Sequence, residues 1–130
     1  MNVTILVIEQ DPDLALLFES ILSIEGYDVV PVASLEEANS VLTTQELQAI
    51  VYDCPNASAA GYQWLNKLRD SPRSAAIPIL LICDEMPVRA QRDLLWNLNI
   101  PTMEKPFDLH TFCRTLEGIM PLRERMVGAY

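Results

Sequence analysis

Apolar and polar residues follow two recurring patterns along this chain. Five short runs are almost entirely apolar: Val3–Ile8, Tyr27–Val32, Ala49–Tyr52, Ile79–Ile82 and, less clearly, Ile100–Met103. Runs such as VTILVI and ILLI do not alternate polar with apolar residues, which is typical of strands buried on both faces of a parallel sheet. The pattern therefore predicts five buried strands.

In five segments that follow these runs, apolar residues recur at helical spacing. Asp11, which stands before a proline, is a cap residue for the first helix, and Gly26 suits its end. Ser34 and Glu37 form a capping box for the second helix, and Asp108 caps the fifth. The third and fourth helices are indicated by two stripes, Gly61, Trp64, Leu65 and Leu68, and Leu94, Leu95 and Leu98.

Strand and helix thus alternate five times, with no linker or internal repeat between them. Because crossover connections between parallel strands are right-handed, we expect an α/β fold in which helices cover both faces of a doubly wound parallel sheet. Residues 1–120 are predicted to form this single domain, and residues 121–130 a C-terminal tail without clear periodicity.

The charge balance limits the partners that the chain can bind. Its 130 residues include nine Lys and Arg against eighteen Asp and Glu, for a formal net charge of −9. Because no basic stripe is present, we expect neither direct nucleic-acid binding nor attachment to anionic membranes. The three cysteines lack metal-ligand spacing, and the N-terminus has no basic region before its short apolar run, so a reducing cytoplasm is predicted.

Candidate chemistry lies after the strands, because ligands of open α/β sheets bind beyond the carboxyl ends of the strands. Carboxylates and one lysine dominate these positions, with one amide and one thiol among them: Glu9, Gln10, Asp11 and Asp13, then Asp53, then Cys83, Asp84 and Glu85, and finally Glu104 and Lys105. No glycine-rich phosphate loop is present, which argues against nucleotide binding. Clustered carboxylates instead suit a hard cation such as Mg²⁺, and the lysine suits an anion beside it.

Four motifs, in order and in register, resemble the receiver domain of bacterial two-component response regulators, of the chemotaxis-regulator kind. They are ILVIEQDPD, AIVYD with Gly61 eight residues further on, PILLIC and EKPF, and the match covers residues 3 to 120. The resemblance implies a flavodoxin-like sheet of strand order 2-1-3-4-5. It also implies a phosphorelay role: a histidine kinase or phosphotransfer protein donates a phosphoryl group, and a downstream effector protein responds to it.

The resemblance also implies roles for individual residues. Asp53 would be the phosphoacceptor, while Cys83 and Lys105 would bind the phosphoryl oxygens. The bond between Lys105 and Pro106 would be cis. Mg²⁺ would be held by Glu9, Gln10, Asp53 and the backbone carbonyl of Pro55.

Four positions depart from the family pattern. Gln10 replaces an acid that ligates the metal, Cys83 replaces a threonine or serine, Thr102 replaces an aromatic residue, and Ala57 replaces a proline. Because an amide oxygen carries no charge and a thiol is a weak donor, we expect weak Mg²⁺ binding and weak phosphorylation of Asp53. The missing carboxylate has three candidate replacements, which are Asp11, Asp13 and Asp84.

Partner contacts are predicted on the surface formed by the fourth helix, the fifth strand and the fifth helix. Trp96 and Thr102 belong to it, and a homodimer through this face is one arrangement that the sequence leaves open. Two rival functions remain. The first rival is an interaction module that works without phosphorylation. The second, less favoured, is a small phosphatase that uses Asp11 and Asp13. A signalling module that is not an enzyme is the preferred interpretation.

Overall fold

The structure is a computed structural model that describes residues 2–54 and 58–121. Within these ranges five strands and five helices alternate. The strands are β1 (Thr4–Ile8), β2 (Asp28–Val32), β3 (Ala49–Asp53), β4 (Ile79–Cys83) and β5 (Thr102–Glu104). The helices are α1 (Pro12–Ile24), α2 (Leu35–Thr44), α3 (Ala59–Asp70), α4 (Arg89–Asn97) and α5 (Leu109–Ile119).

The five strands form one parallel sheet in the order β2-β1-β3-β4-β5. This order confirms the doubly wound α/β fold that was expected. The chain reverses its direction of travel across the sheet between β1 and β3, and the carboxyl ends of these two strands lie side by side. A crevice therefore opens at this point, where folds of this kind bind their ligands.

The hydrophobic core has two parts, one on each face of the sheet, because successive strand residues point to opposite faces. On one face, Leu6, Ile50 and Leu81 pack with buried side chains of α2, α3 and α4. On the other face, Val51 and Leu80 pack with buried side chains of α1 and α5. Burial of both faces explains why the strand segments contain almost no polar residues.

The predicted helix starts are confirmed by side-chain caps. A carboxylate oxygen of Asp11 accepts the backbone N–H of Asp13 at 2.9 Å, and one of Asp108 accepts the N–H of Thr111 at 2.7 Å. The hydroxyl of Ser34 accepts the N–H of Glu37 at 3.1 Å. Each cap satisfies a backbone donor that has no partner inside its helix.

The fifth strand differs from its sequence prediction, because it starts at Thr102 and not at Ile100. The N–H of Ile100 donates to the carbonyl of Leu95 at 2.9 Å, and Asn99 adopts a positive φ of 57°. These features end α4 and occupy the Ile100 donor that a strand would need. The third and fourth strands each extend one residue beyond the predicted runs, to Asp53 and Cys83.

The last helix ends at Ile119, and Pro121 is the last described residue. Of the predicted tail, residues 122–130 lie outside the described part of the chain. Among the described helices, none is both long enough and apolar enough to cross a membrane.

Candidate functional site

The crevice at the carboxyl ends of the strands holds a buried ion pair. An oxygen of the Asp53 carboxylate lies 2.7 Å from the Lys105 ammonium nitrogen, and the Asp53 side chain is fully buried. Asp53 is the last residue of β3, and Lys105 follows β5 directly, so the sheet brings them together from positions far apart in sequence. The peptide bond between Lys105 and Pro106 is cis, as the sequence predicts.

Two further acids surround this ion pair. Glu9, one residue beyond β1, is almost fully buried beside Asp53, and an oxygen of Asp84 lies 3.6 Å from the Lys105 nitrogen. Partial burial lowers the pKa of Lys105, but its hydrogen bond to Asp53 and the charges of Asp53, Glu9 and Asp84 raise it above the usual value overall. Lys105 is therefore a cation held among three carboxyl groups.

The carboxyl groups of Glu9 and Asp53 lie close enough to interact. Burial, a hydrogen bond to Asp53 and the charge of Asp53 together raise the pKa of Glu9 to about 8, although the charge of Lys105 opposes the shift. Two carboxylates this close repel each other, so a proton or a cation between them stabilises the pair. The site therefore favours uptake of positive charge.

The donor set fits a divalent cation in part. Apart from the Lys105 ammonium, which pairs with one Asp53 oxygen, and the neighbouring Glu9 carboxyl, no described residue offers a hydrogen-bond donor to Asp53. Buried carboxylate oxygens without donors are suitable ligands for Mg²⁺. Gln10 follows Glu9, is exposed, and shares with Glu9 a surface groove that Asp53 does not line.

The three candidates for the missing carboxylate do not complete the set. Asp11 and Asp13 are exposed, and the Asp11 side chain caps α1, while Asp84 contacts Lys105. No group of three His, Cys, Asp or Glu side chains in residues 2–54 and 58–121 could hold a metal ion. Within the described residues, Glu9 and Asp53 are the two acids of the predicted metal set that lie side by side.

Three solved structures with this fold are a chemotaxis protein, the receiver domain of a sensor kinase and a response regulator receiver protein. A chemotaxis protein of Vibrio cholerae aligns with a TM-score of 0.80 at 18% identity, over 92% of this chain and 100% of its own. The receiver domain of a sensor histidine kinase from Pseudomonas aeruginosa, with magnesium in its active-site cleft, aligns with a TM-score of 0.75 at 23% identity, over 92% and 98%. A response regulator receiver protein from Pseudomonas putida aligns with a TM-score of 0.79 at 21% identity, over 91% and 98%.

This chain has the receiver-domain fold. The sequence itself matches no protein-family model and no curated protein. The likeness therefore lies in the three-dimensional arrangement, and the assignment of activity depends on the site residues.

Cys83 occupies the end of β4 within this receiver fold. Its thiol donates to the carbonyl of Met103, with 3.7 Å between the sulfur and the oxygen, and so points toward β5. Burial raises the pKa of Cys83, and the charges of Glu104 and Asp84 raise it further. The thiol therefore stays protonated at neutral pH, which agrees with its predicted weakness as a phosphoryl ligand.

The predicted partner surface contains the most exposed of the large apolar side chains that the structure describes. Trp96 on α4 is 85% exposed, whereas Trp64 is buried and donates its ring N–H to Asn39 at 2.7 Å. Thr102 is half-buried at the start of β5, and its hydroxyl contacts the Met86 sulfur at 4.0 Å. Trp96 thus remains a candidate contact residue, and Thr102 lies too deep to offer more than a part of its surface.

Two of the predicted positions, Pro55 and Ala57, lie outside the described residues. One feature was missed by sequence reasoning, which compared the cysteines only by their spacing along the chain. Cys54 and Cys83 stand at equivalent positions, directly after VYD and at the end of LLIC, and β3 and β4 are neighbouring strands. Placing the sequences of the β3 and β4 ends in parallel register would have shown that Cys54 and Cys83 lie opposite each other.

The ion pair makes a prediction about stability. Lys105→Met should lower the free energy of unfolding at neutral pH by about 1.5 kcal/mol, because the buried Asp53 loses its cation while proton sharing with Glu9 limits the cost. Urea unfolding followed by tryptophan fluorescence measures this change. Lys67→Met is the matched control, since Lys67 is the only other lysine and is exposed. Equal losses in both variants would contradict the prediction.

Proposed function

We propose that this chain is a receiver module that accepts a phosphoryl group on Asp53 and signals through protein contacts. The observation that carries the proposal is the buried Asp53 carboxylate at the end of β3, 2.7 Å from Lys105 and beside the buried Glu9. A nucleophilic carboxylate, a cation for phosphoryl oxygens and a second acid are the groups that phosphoryl transfer to aspartate requires. The receiver fold supports this interpretation.

The proposed transfer forms a bond between an Asp53 oxygen and phosphorus and breaks the phosphorus–nitrogen bond of a phosphohistidine donor. The imidazole nitrogen leaves with the bonding electron pair and takes up a proton. Lys105 orients the phosphoryl group and offsets its negative charge through electrostatic attraction. Mg²⁺, when bound through Glu9, Asp53 and the Gln10 amide, would supply further neutralisation of the phosphoryl oxygens.

Partners follow from the same proposal. The phosphoryl donor is a histidine kinase or a phosphotransfer protein. The protein that responds to the signal is an effector that contacts the face carrying Trp96. Phosphorylation adds about 1.5 to 2 negative charges at Asp53, which can bias the neighbouring loops toward a second arrangement. We place this module in the cytoplasm, where such donors act, and assign it no enzymatic turnover of its own.

A second function has support from a specific observation. Gln10 carries no charge, and no group of three potential ligands forms within the described residues, so the metal site is depleted. An interaction module that binds its partner without phosphorylation is therefore the alternative proposal. The phosphatase alternative has less support, because the Asp11 carboxylate accepts two backbone N–H groups of α1 and is engaged as a helix cap.

The test is incubation of the chain with acetyl phosphate and Mg²⁺, followed by mass spectrometry of the intact protein and its peptides. We expect slow gain of one phosphoryl group on the peptide that contains Asp53. The adduct should depend on Mg²⁺ and should be removed by hydroxylamine, as an acyl phosphate is. Absence of the adduct at every Mg²⁺ concentration would overturn the proposal in favour of the interaction module.

A further inference from the structure

Two thiols lie opposite each other at the ends of neighbouring strands. Asp53 and Ile82 are the last paired residues of β3 and β4, and the N–H of Cys54 donates to the carbonyl of Ile82 at 2.8 Å. In a parallel ladder this bond places Cys54 opposite Cys83. Neighbouring strands are about 4.8 Å apart, and opposite residues point to the same face of the sheet. This separation falls within the range that a disulfide requires.

Both cysteines line one small cavity. A cavity of about 10 Å³ is lined by Cys54, Cys83, Gly61 and Tyr62 together with five other residues, and it is too small for more than a single water. A Cβ atom at Gly61 would lie 3.5 Å from the Cys54 sulfur, an ordinary van der Waals contact, so the first turn of α3 packs directly against this thiol.

The electrostatics of a neighbouring tyrosine agree with this placement. Burial raises the pKa of Tyr62, and electrostatic interactions with Cys54 and Cys83 raise it further, which agrees with the three residues lining one cavity. Cys54 is half-buried and Cys83 is 5% exposed. A small oxidant therefore reaches Cys54 first, and Cys83 lies within reach of the product.

We propose that Cys54 and Cys83 form a reversible disulfide next to Asp53 when the chain meets hydrogen peroxide. The Cys54 sulfur attacks a peroxide oxygen, which breaks the oxygen–oxygen bond and gives a sulfenic acid and water. The Cys83 sulfur then displaces the hydroxyl group, which leaves as a second water with the thiol proton. Two thiols lose two electrons, and one peroxide gains them.

The bridge would act on the proposed phosphoacceptor site, and this part of the inference rests on the proposed function. Cys54 follows Asp53 directly, and the carbonyl of Cys83 accepts the backbone N–H of Lys105 at 2.9 Å. A disulfide would join the two strand ends that position the acid and its cation. It would also end the hydrogen bond from the Cys83 thiol to the Met103 carbonyl. We expect oxidation to slow phosphorylation of Asp53 by at least about fivefold, because small displacements at such sites are costly.

The experiment treats the full chain with hydrogen peroxide and identifies the linked tryptic peptides by mass spectrometry, before and after dithiothreitol. Wild-type protein should lose two hydrogen atoms and yield a peptide that links Cys54 to Cys83, and dithiothreitol should reverse both changes. Cys113→Ser is the matched control and should behave as wild type, because Cys113 is on α5, which packs on the opposite face of the sheet. Cys83→Ser should form no bridge and should expose a sulfenic acid on Cys54 to dimedone.

The outcomes separate this inference from the proposed function. A bridge that involves Cys113, a bridge between two chains, or thiols that stay reduced in wild-type protein would each overturn the disulfide, and these readouts do not depend on phosphorylation or on any variant. Phosphorylation from acetyl phosphate is then compared in the reduced, oxidised and re-reduced protein. Equal rates would overturn the regulatory role and leave the phosphoacceptor intact. No phosphorylation in the reduced protein would overturn the proposed function and leave the disulfide standing.

Discussion

Replacing Asp53 with asparagine is expected to reduce phosphoryl uptake from acetyl phosphate to less than about one hundredth of the wild-type rate. The amide has nearly the shape of the carboxylate but lacks the ionised oxygen that attacks phosphorus. The fold should persist, because removal of one charge also relieves the repulsion between Asp53 and the buried Glu9. Intact-protein mass spectrometry over a time course measures the rate.

Asp84→Asn provides a matched control for this variant. Asp84 also contacts Lys105, at 3.6 Å, but its side chain is 51% exposed, whereas that of Asp53 is fully buried. Both variants remove one carboxylate next to the same cation. We expect Asp84→Asn to retain uptake within about threefold of wild type, since exposed ion pairs contribute little. If the two variants lost activity equally, the nucleophile would have to be reassigned.

The fold could be predicted from the sequence because its determinants are local and repeated. Strands such as ILVI and ILLI are apolar at every position, which requires a sheet covered on both faces. The helix caps Asp11, Ser34 and Asp108 mark where α1, α2 and α5 begin. The start of β5 could not be predicted, because the donor of Ile100 is used by a carbonyl of α4, and hydropathy does not report backbone pairing.

The site was predictable only in part, for a different physical reason. The rule that ligands bind beyond strand ends selects Asp53, Lys105 and Glu9, and the structure brings these three together. The same rule selects Asp11 and Asp13 equally well, but both residues are exposed at the start of α1, where the Asp11 side chain caps the helix. Sequence position gives the edge of the sheet on which a residue lies, whereas the direction of its side chain depends on the helix that follows.

Replacing Gln10 with aspartate is expected to tighten Mg²⁺ binding by about thirtyfold. A unit negative charge about 4 Å from a divalent cation contributes about 2 kcal/mol even with water-like screening, and this energy corresponds to that factor. Water-like screening is appropriate because Gln10 is exposed. The new carboxylate would join Glu9 and Asp53, which are both buried beside Lys105. Isothermal titration calorimetry with MgCl₂ at constant ionic strength measures the affinity.

Gln10→Asn separates the effect of charge from that of side-chain length. Asparagine has the length of aspartate but remains neutral, so Mg²⁺ affinity in this variant should stay within about threefold of wild type. Because metal binding and phosphorylation are coupled in the proposed mechanism, the Gln10→Asp variant should also be phosphorylated faster than wild type at low Mg²⁺. This gain should vanish in the double variant that also carries Asp53→Asn. Equal affinities in the Asp and Asn variants would show that residue 10 lies outside the metal site, and that Glu9 and Asp53 draw their third ligand from elsewhere.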